Sequence, residues 1–243
     1  KTSEKLDHIG VFGRSVEDVE IIAKVLIKKD NHDKATIYYS SDDMLNETKK
    51  GPLFEPKFIF YKTDHWKLID KKSKQAFEYF IKSFKKNIEV FDTPSYFKDI
   101  HKYHQIIHET DLANNFSLYY KKYKKKLSKY MQDAIAKGNK HSAKEYAEAI
   151  DFMKRSYDSY QEVFEDYHGV LTPSSLGVAP KGLKSTGTAE CNKVWSYLGT
   201  PCISLPLLQG ENNMPLGVQL VGARYDDHRF LGVANWLEKE CNK

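Results

Sequence analysis

Apolar positions along this chain follow two rhythms, a helical spacing of three to four and short unbroken runs of strand type. Ser15-Val16-Glu17-Asp18 reads as a helix start. The Ser15 hydroxyl can accept from a free N–H of the first turn, and the two acids suit the positive helix end. Val16, Val19, Ile22, Ala23 and Leu26 then share one helical face, with an end near Lys28 or Lys29. Residues 30–56 are polar and read as an irregular connection. Residues 57–62 (KFIFYK) predict a buried strand, because aromatic and β-branched side chains fit a pleated surface. A second helix opens at Ser73 and turns Ala76, Phe77, Phe80, Ile81 and Phe84 inward. Residues 88–91 predict a short strand ended by Thr93-Pro94.

Two longer helical segments follow. Tyr103, Ile106, Ile107, Thr110, Ala113, Phe116, Tyr120, Tyr123, Leu127, Tyr130 and Ala134 keep helical spacing in the first. Ala143, Tyr146, Ile150, Met153, Tyr157, Tyr160 and Phe164 keep it in the second, and Gly138-Asn139 is the stop between them. After His168-Gly169 the texture changes. Residues 170–173 predict a strand, followed by a Gly/Ser/Thr/Pro-rich loop to about Thr188 and a helix to Leu198. Strands at 202–205 and 216–221 and a last helix at 227–240 complete the chain. Gly199 and Pro201 turn a helix into a strand, and Gly217 lets a strand pass close to a neighbour. Strands alternating with helices indicate an α/β fold. No repeat and no linker divides the chain, so 1–243 reads as a single domain.

Composition narrows the function classes. The chain has 243 residues, 40% hydrophobic and 29% charged, which suits a globular core and not a disordered segment. No apolar run approaches the roughly 18 residues of a membrane span. Three cysteines without Cys-x-x-Cys spacing speak against a disulfide framework and a zinc site, and fit a reducing, cytoplasmic setting. The net charge of +5 comes from 34 lysines against 4 arginines, which suits general solvation better than a nucleic-acid surface. The first residue is Lys1, without a signal region, and reads as a cut or processed start.

Four features carry candidate chemistry. Residues 121–129 (KKYKKKLSK) read as the wet face of a helix whose dry face holds Tyr120, Tyr123, Leu127 and Tyr130. His101, His104 and His108 have a spacing that a transition metal can use, but no nearby side chain clearly completes the set. The stretch from Gly177 to Ser185 nearly spells a phosphate loop. Leu183 puts Lys184 out of register, however, and Pro180 removes a backbone donor. Ser174-Ser175 near Lys181 and Lys184 suggests a serine–lysine nucleophile, yet these lysines lie in a polar loop where a lowered pKa is not expected.

Two stretches resemble the amidase-signature family. One is Leu6-Asp7-His8-Ile9-Gly10 with Phe12-Gly13-Arg14-Ser15-Val16-Glu17-Asp18. The other runs through Pro173, Ala179-Pro180, Thr186-Gly187-Thr188, Asn192, Trp195, Leu198-Gly199, Pro201, Ser204 and Pro206 to Leu216-Gly217-Val218-Gln219-Leu220-Val221-Gly222. The resemblance implies the C-terminal part of that fold: a mixed β-sheet covered by helices, with a long helical hairpin in the middle. It also implies hydrolysis of carbon–nitrogen amide bonds by a Ser–cis-Ser–Lys triad, without metal or cofactor. In the family the triad precedes the Leu-Asp-x-x-Gly segment, which here begins at Leu6, so no catalytic residue is expected in this chain and the chain alone is expected to be inactive. Thr186, Thr188, Asn192 and Trp195 are the expected substrate-binding residues, with packing and capping of their helix as the competing role. The implied partners are a small-molecule amide substrate and the missing N-terminal half of the same fold, with a homodimer as an option and neither nucleic acid nor membrane. A tRNA-dependent amidotransferase subunit is the alternative within the family. Its usual Asp-Pro-Leu-x-Met-Tyr segment is replaced here by residues 184–192 (KSTGTAECN), closer to general amidases. A non-catalytic binding domain is the alternative outside it.

Overall fold

The computed structural model describes residues 1–33, 36–38 and 48–243. The chain divides into two compact units, each drawn from three separate stretches. One takes residues 1–9, 94–160 and 196–199, and the other takes 10–93, 161–195 and 200–243.

The second unit is built on a mixed five-stranded sheet in the order β2-β1-β3-β5-β4. Here β1 is Phe58–Lys62, β2 Ile88–Asp92, β3 Gly169–Pro173, β4 Cys202–Gln209 and β5 Pro215–Val221. Strand β1 pairs in parallel with both β2 and β3, setting Phe58 opposite Ile88 and Gly169. Strand β5 pairs antiparallel with β3 and β4. β1 and β3 are covered on both faces, so their side chains are buried almost without interruption. That is why KFIFYK reads as an unbroken apolar run.

Among the described residues, α1 (Val16–Leu26), α2 (Lys71–Ser83) and, at the chain's end, Asp227–Cys241 pack on this unit. Phe58, Phe60, Phe77, Leu171, Val218, Leu220, Val233 and Leu237 form the centre of its core. Phe60, Trp66 and Phe77 contact one another with ring centroids 5.9–6.1 Å apart, in tilted and edge-on geometries that favour aromatic pairs. The second helix begins earlier than its pattern suggests. Its cap is Asp70, whose carboxylate accepts from the Ser73 N–H at 2.9 Å, so Ser73 lies inside the first turn. Strand β4 is also longer than expected, reaching Gln209, and much of it is exposed along the sheet edge. Residues 48–50 are helical within the stretch expected to be irregular, of which 34, 35 and 39–47 lie outside the described residues.

The face of α1 differs from its expected one. Ser15 caps it as expected, accepting from Asp18 N–H at 3.1 Å. Val16 is buried, and Val19 and Ala23 pack on the core. Ile22 and Leu26, expected inside, are exposed together with Ile21 and Val25, while Glu20 is fully buried. The Glu20 carboxylate has no hydrogen-bond partner. Burial pushes its carboxyl above the ordinary value of 4.5, opposed by the Thr48 hydroxyl, which lies beside it without closing a hydrogen bond.

The first unit is helical: α3 (Phe97–Asn115), α4 (Ser117–Tyr123), α5 (Lys129–Gly138) and α6 (Ala143–Gln161), the last residue of α6 belonging to the other unit. The single turn α7 (Val163–Asp166) then leads into β3. The expected hairpin is present, but its first arm is broken. Phe116 leaves helical geometry at ψ 10°, and Leu127 is extended at ψ 146°. Ser128 then caps a new helix by accepting from Met131 N–H at 3.2 Å. The break lets Ala134 and Ile135 meet Leu112 and Ala113, with Tyr120 and Leu127 at the margin. Tyr123 and Tyr130, expected on the dry face, are exposed. The lysine run is wet, as expected, and Lys124 lies 5.0 Å from the Tyr120 ring centroid.

Where α5 crosses α3 the backbones nearly touch. A Cβ at Gly138 would lie 1.9 Å from the Glu109 carbonyl oxygen. The crossing holds the buried Glu109 carboxylate, which accepts from Gln105 Nε2 and pairs with His141 Nε2, both at 2.8 Å. Its neighbour Asp111 accepts from Tyr146 Oη at 2.8 Å and from Ser3 Oγ. Burial, and then the hydrogen bond to Asp111 and its charge, raise the Tyr146 phenol's pKa.

Two expectations follow. Gly138→Ala forces the two helices apart and should cost about 1–3 kcal/mol, read as a lower urea midpoint at unchanged slope. Glu20→Gln removes a charge that burial opposes. A carboxyl with a raised folded-state pKa destabilises the fold fully above that pKa, and the penalty vanishes as pH falls below the unfolded value. The variant should therefore melt higher at pH 8, by on the order of 1 kcal/mol, and the gain should shrink toward pH 4. A gain that does not change with pH would rule out this origin.

Candidate functional site

Strand β3 delivers the candidate loop. Its last residue, Pro173, pairs with Val218, and the chain then runs without regular structure to α8 (Glu190–Leu198). Both serines at the start of the loop give their protons to backbone carbonyls. Ser174 Oγ donates to Gly217 O at 2.9 Å and Ser175 Oγ to Gly177 O at 2.6 Å. Lys181 and Lys184 are exposed, and no lysine is buried among the described residues. A serine whose proton is already engaged, with no buried amine beside it, lacks an activated nucleophile. Gly217 gives room to the segments on either side of it. The hydroxyls of Ser174 and Ser204 fill the space above it, at 2.2 and 2.4 Å from where a Cβ would stand.

The four expected binding residues do not share one surface. Thr186 and Thr188 lie on the exposed loop, and Asn192 is exposed in the first turn of α8. Thr188 Oγ1 accepts from Glu190 N–H at 3.4 Å, and Asn192 N–H donates to Ala189 O at 2.9 Å. Trp195 is only 2% exposed. Its carbonyl accepts from the Thr200 N–H at 3.2 Å, fixing the turn out of the helix. The exposed trio can offer two hydroxyls and an amide to a ligand, whereas the indole supports the helix from within. Glu190, at the head of α8, pairs with Lys193 and, at 3.4 Å, with His65. Burial pushes the Cys191 thiol up to about 11, so it is not a thiolate at neutral pH.

The sequence pattern did not reveal two further features. Thr172 on β3 and Ser204 on β4 both stand opposite Gln219 on β5, a polar row across three strands. Thr172 and Gln219 are buried, and Thr172 Oγ1 and Gln219 Nε2 have no hydrogen-bond partner. The apolar character of their strands hides the row in one dimension. At the start of β3, His168 lines a cavity of about 310 Å³ with Leu53, Phe54, His228 and Arg229. Burial and the charge of Arg229 lower the affinity of His168 for a proton. In sequence it stood out only as the residue before a strand.

His101, His104 and His108 lie on α3, where the rings of His104 and His108 stack with centroids 6.2 Å apart. Among the described residues no three His, Cys, Asp or Glu side chains gather as metal ligands, and no helix is long and apolar enough to cross a membrane.

Comparison with known proteins places this architecture. A glutamyl-tRNA(Gln) amidotransferase subunit of Alkaliphilus metalliredigens (strain QYMF) is 33% identical over 103 residues, covering 39% of this chain and 21% of that protein. A solved chain from a vestigial protein complex bearing on the evolutionary origins of an s-triazine catabolic enzyme matches with a TM-score of 0.83 at 17% identity. The match covers 99% of this chain and 55% of that one. The corresponding glutamyl-tRNA(Gln) amidotransferase subunit of Thermotoga maritima matches with a TM-score of 0.73 at 22% identity, covering 98% of this chain and 54% of that one. The chain thus spans about half the length of these solved structures, and its match to the curated relative spans about a fifth of that protein. The mixed sheet and its helices are those of amidase-signature structures. The sequence model of the Amidase family matches residues 1–231, nearly the whole length, and the chain belongs to that family.

Proposed function

We propose that this chain forms the C-terminal half of an enzyme that hydrolyses carbon–nitrogen amide bonds, its Ser–cis-Ser–Lys triad carried by an N-terminal half of the same fold. The observation that carries the reading is coverage. The family match runs over residues 1–231, yet the solved relatives are almost twice as long as the part this chain matches. The engaged protons of Ser174 and Ser175 and the exposure of Lys181 and Lys184 agree with a nucleophile located elsewhere. So do the exposed Ile21, Ile22, Val25 and Leu26 of α1, which form an apolar face suited to cover by further chain.

In this reading the chain contributes binding and not bond breaking. A neutral lysine would move the proton through the bridging serine, and backbone N–H groups would hold the oxyanion, all in the other half. Here Thr186, Thr188 and Asn192 would hydrogen-bond the amide or its flanking groups, while Trp195 holds α8 in place. The three cysteines are unpaired, in keeping with a reducing, cytoplasmic setting. A role like that of the glutamyl-tRNA(Gln) amidotransferase subunits is the second reading, favoured by the names of the curated relatives.

The test compares isolated 1–243 with the full-length protein on a simple aryl amide and on glutamine. Turnover is expected only from the full-length protein, on the aryl amide. Thr188→Ala and Asn192→Ala should each raise KM about tenfold, the scale of one lost hydrogen bond, at unchanged melting temperature. Glutamine turnover alone would favour the amidotransferase. Turnover of neither substrate would leave a non-catalytic domain. Turnover by the isolated chain, lost in Ser174→Ala/Ser175→Ala, would place the nucleophile here.

A further inference from the structure

The cavity at the start of β3 has two unlike walls. Leu53 and Phe54, 93% and 78% exposed, supply an apolar wall. His168, His228 and Arg229 supply the other, and no carboxylate lines the cavity among the described residues. Outside the lining, Asp226 lies 3.7 Å from both Arg229 Nε and His228 Nε2. At that distance it offsets part of the charge without closing a hydrogen bond. It approaches the guanidinium through Nε, and a guanidinium can offer its paired terminal amino groups to a second acceptor.

His168 is fixed from two sides. Its backbone N–H donates to Lys57 O at 2.8 Å, and its Nδ1 accepts from Lys57 N–H at 3.2 Å. With Nδ1 an acceptor, the neutral ring carries its proton on Nε2, which is then a donor. Burial and the Arg229 charge favour that neutral form. The wall therefore offers a permanent cation and an oriented neutral donor, which suits a planar oxyanion. The volume of about 310 Å³ is at the small end of ligand pockets.

We propose that this cavity binds a small monocarboxylate with an apolar body, its carboxylate on Arg229 and His168 and its body against Leu53 and Phe54. The site is at the opposite end of β3 from the loop that carries Thr186 and Thr188. The five residues between His168 and Ser174 span about 17 Å of strand. It therefore stands or falls independently of the amide-hydrolase reading.

Benzoate is the probe, with benzamide as its uncharged isostere and inorganic phosphate as an anion without an apolar body. Binding to the full-length protein is read by NMR from the His168 and His228 ring signals. Benzoate should shift both in the millimolar range and bind at least tenfold tighter than either comparison ligand. Arg229→Gln should remove that preference over benzamide. Leu53→Ser, at an exposed position that leaves the fold intact, should weaken benzoate about threefold without changing phosphate. No response to benzoate would overturn the proposal. So would equal binding of phosphate, or a response that survives Arg229→Gln with the melting temperature unchanged.

Discussion

Strand β3 is the constraint on which the larger unit depends. Its five residues are buried, and it is hydrogen-bonded on both sides, parallel to β1 and antiparallel to β5. It thereby joins segments centred near residues 60, 171 and 218, which only folding brings together. A strand in this position tolerates little polarity, and a register slip would turn its side chains to the wrong faces. The one polar side chain it carries, Thr172, stands opposite the other buried polar side chain of the sheet's centre, Gln219. Both ends of β3 then become places of interest: its end launches the loop toward α8, and its start sets His168 in a cavity wall.

The helical unit obeys a different constraint, the near-contact of two backbones at Gly138 and Glu109. Close approach removes water from a carboxylate. A buried charge of this kind is tolerable only when paired and hydrogen-bonded, and His141 and Gln105 meet that need. Glu20 shows the contrary case, a buried carboxylate without a hydrogen bond, on a helix that exposes four aliphatic residues. This helix turns Val16, Val19 and Ala23 to the core yet buries Glu20 among them and leaves Ile21, Ile22, Val25 and Leu26 outside.

The candidate loop makes sense in the same terms. A polar, exposed stretch between a buried strand and a helix anchored by Trp195 can present hydroxyl and amide groups from a firm base. It supplies no activated nucleophile, because its serines hydrogen-bond to backbone carbonyls and its lysines face water. Membership of the Amidase family thus coexists with a loop in which Ser174 and Ser175 donate to backbone carbonyls and Lys181 and Lys184 are exposed.

Local chemistry alone determined much of this protein. Short unbroken apolar runs and a helical spacing of three to four located five strands and most helices, the Ser15 cap marked α1, and the closing motifs from Asn192 to Gly222 identified the family. These signals are legible because each depends on neighbours within one or two turns. Other features were decided by residues distant in sequence. Ser128 and the packing of Ile135 on Leu112 broke a helix that spacing alone continues. Glu20 was buried and Leu26 exposed because the larger core selected that face of α1. The row of Thr172, Gln219 and Ser204 and the cavity of His168 and Arg229 exist only once strand register is set, since hydrogen bonding between strands, which no local pattern encodes, brings distant stretches of the chain side by side.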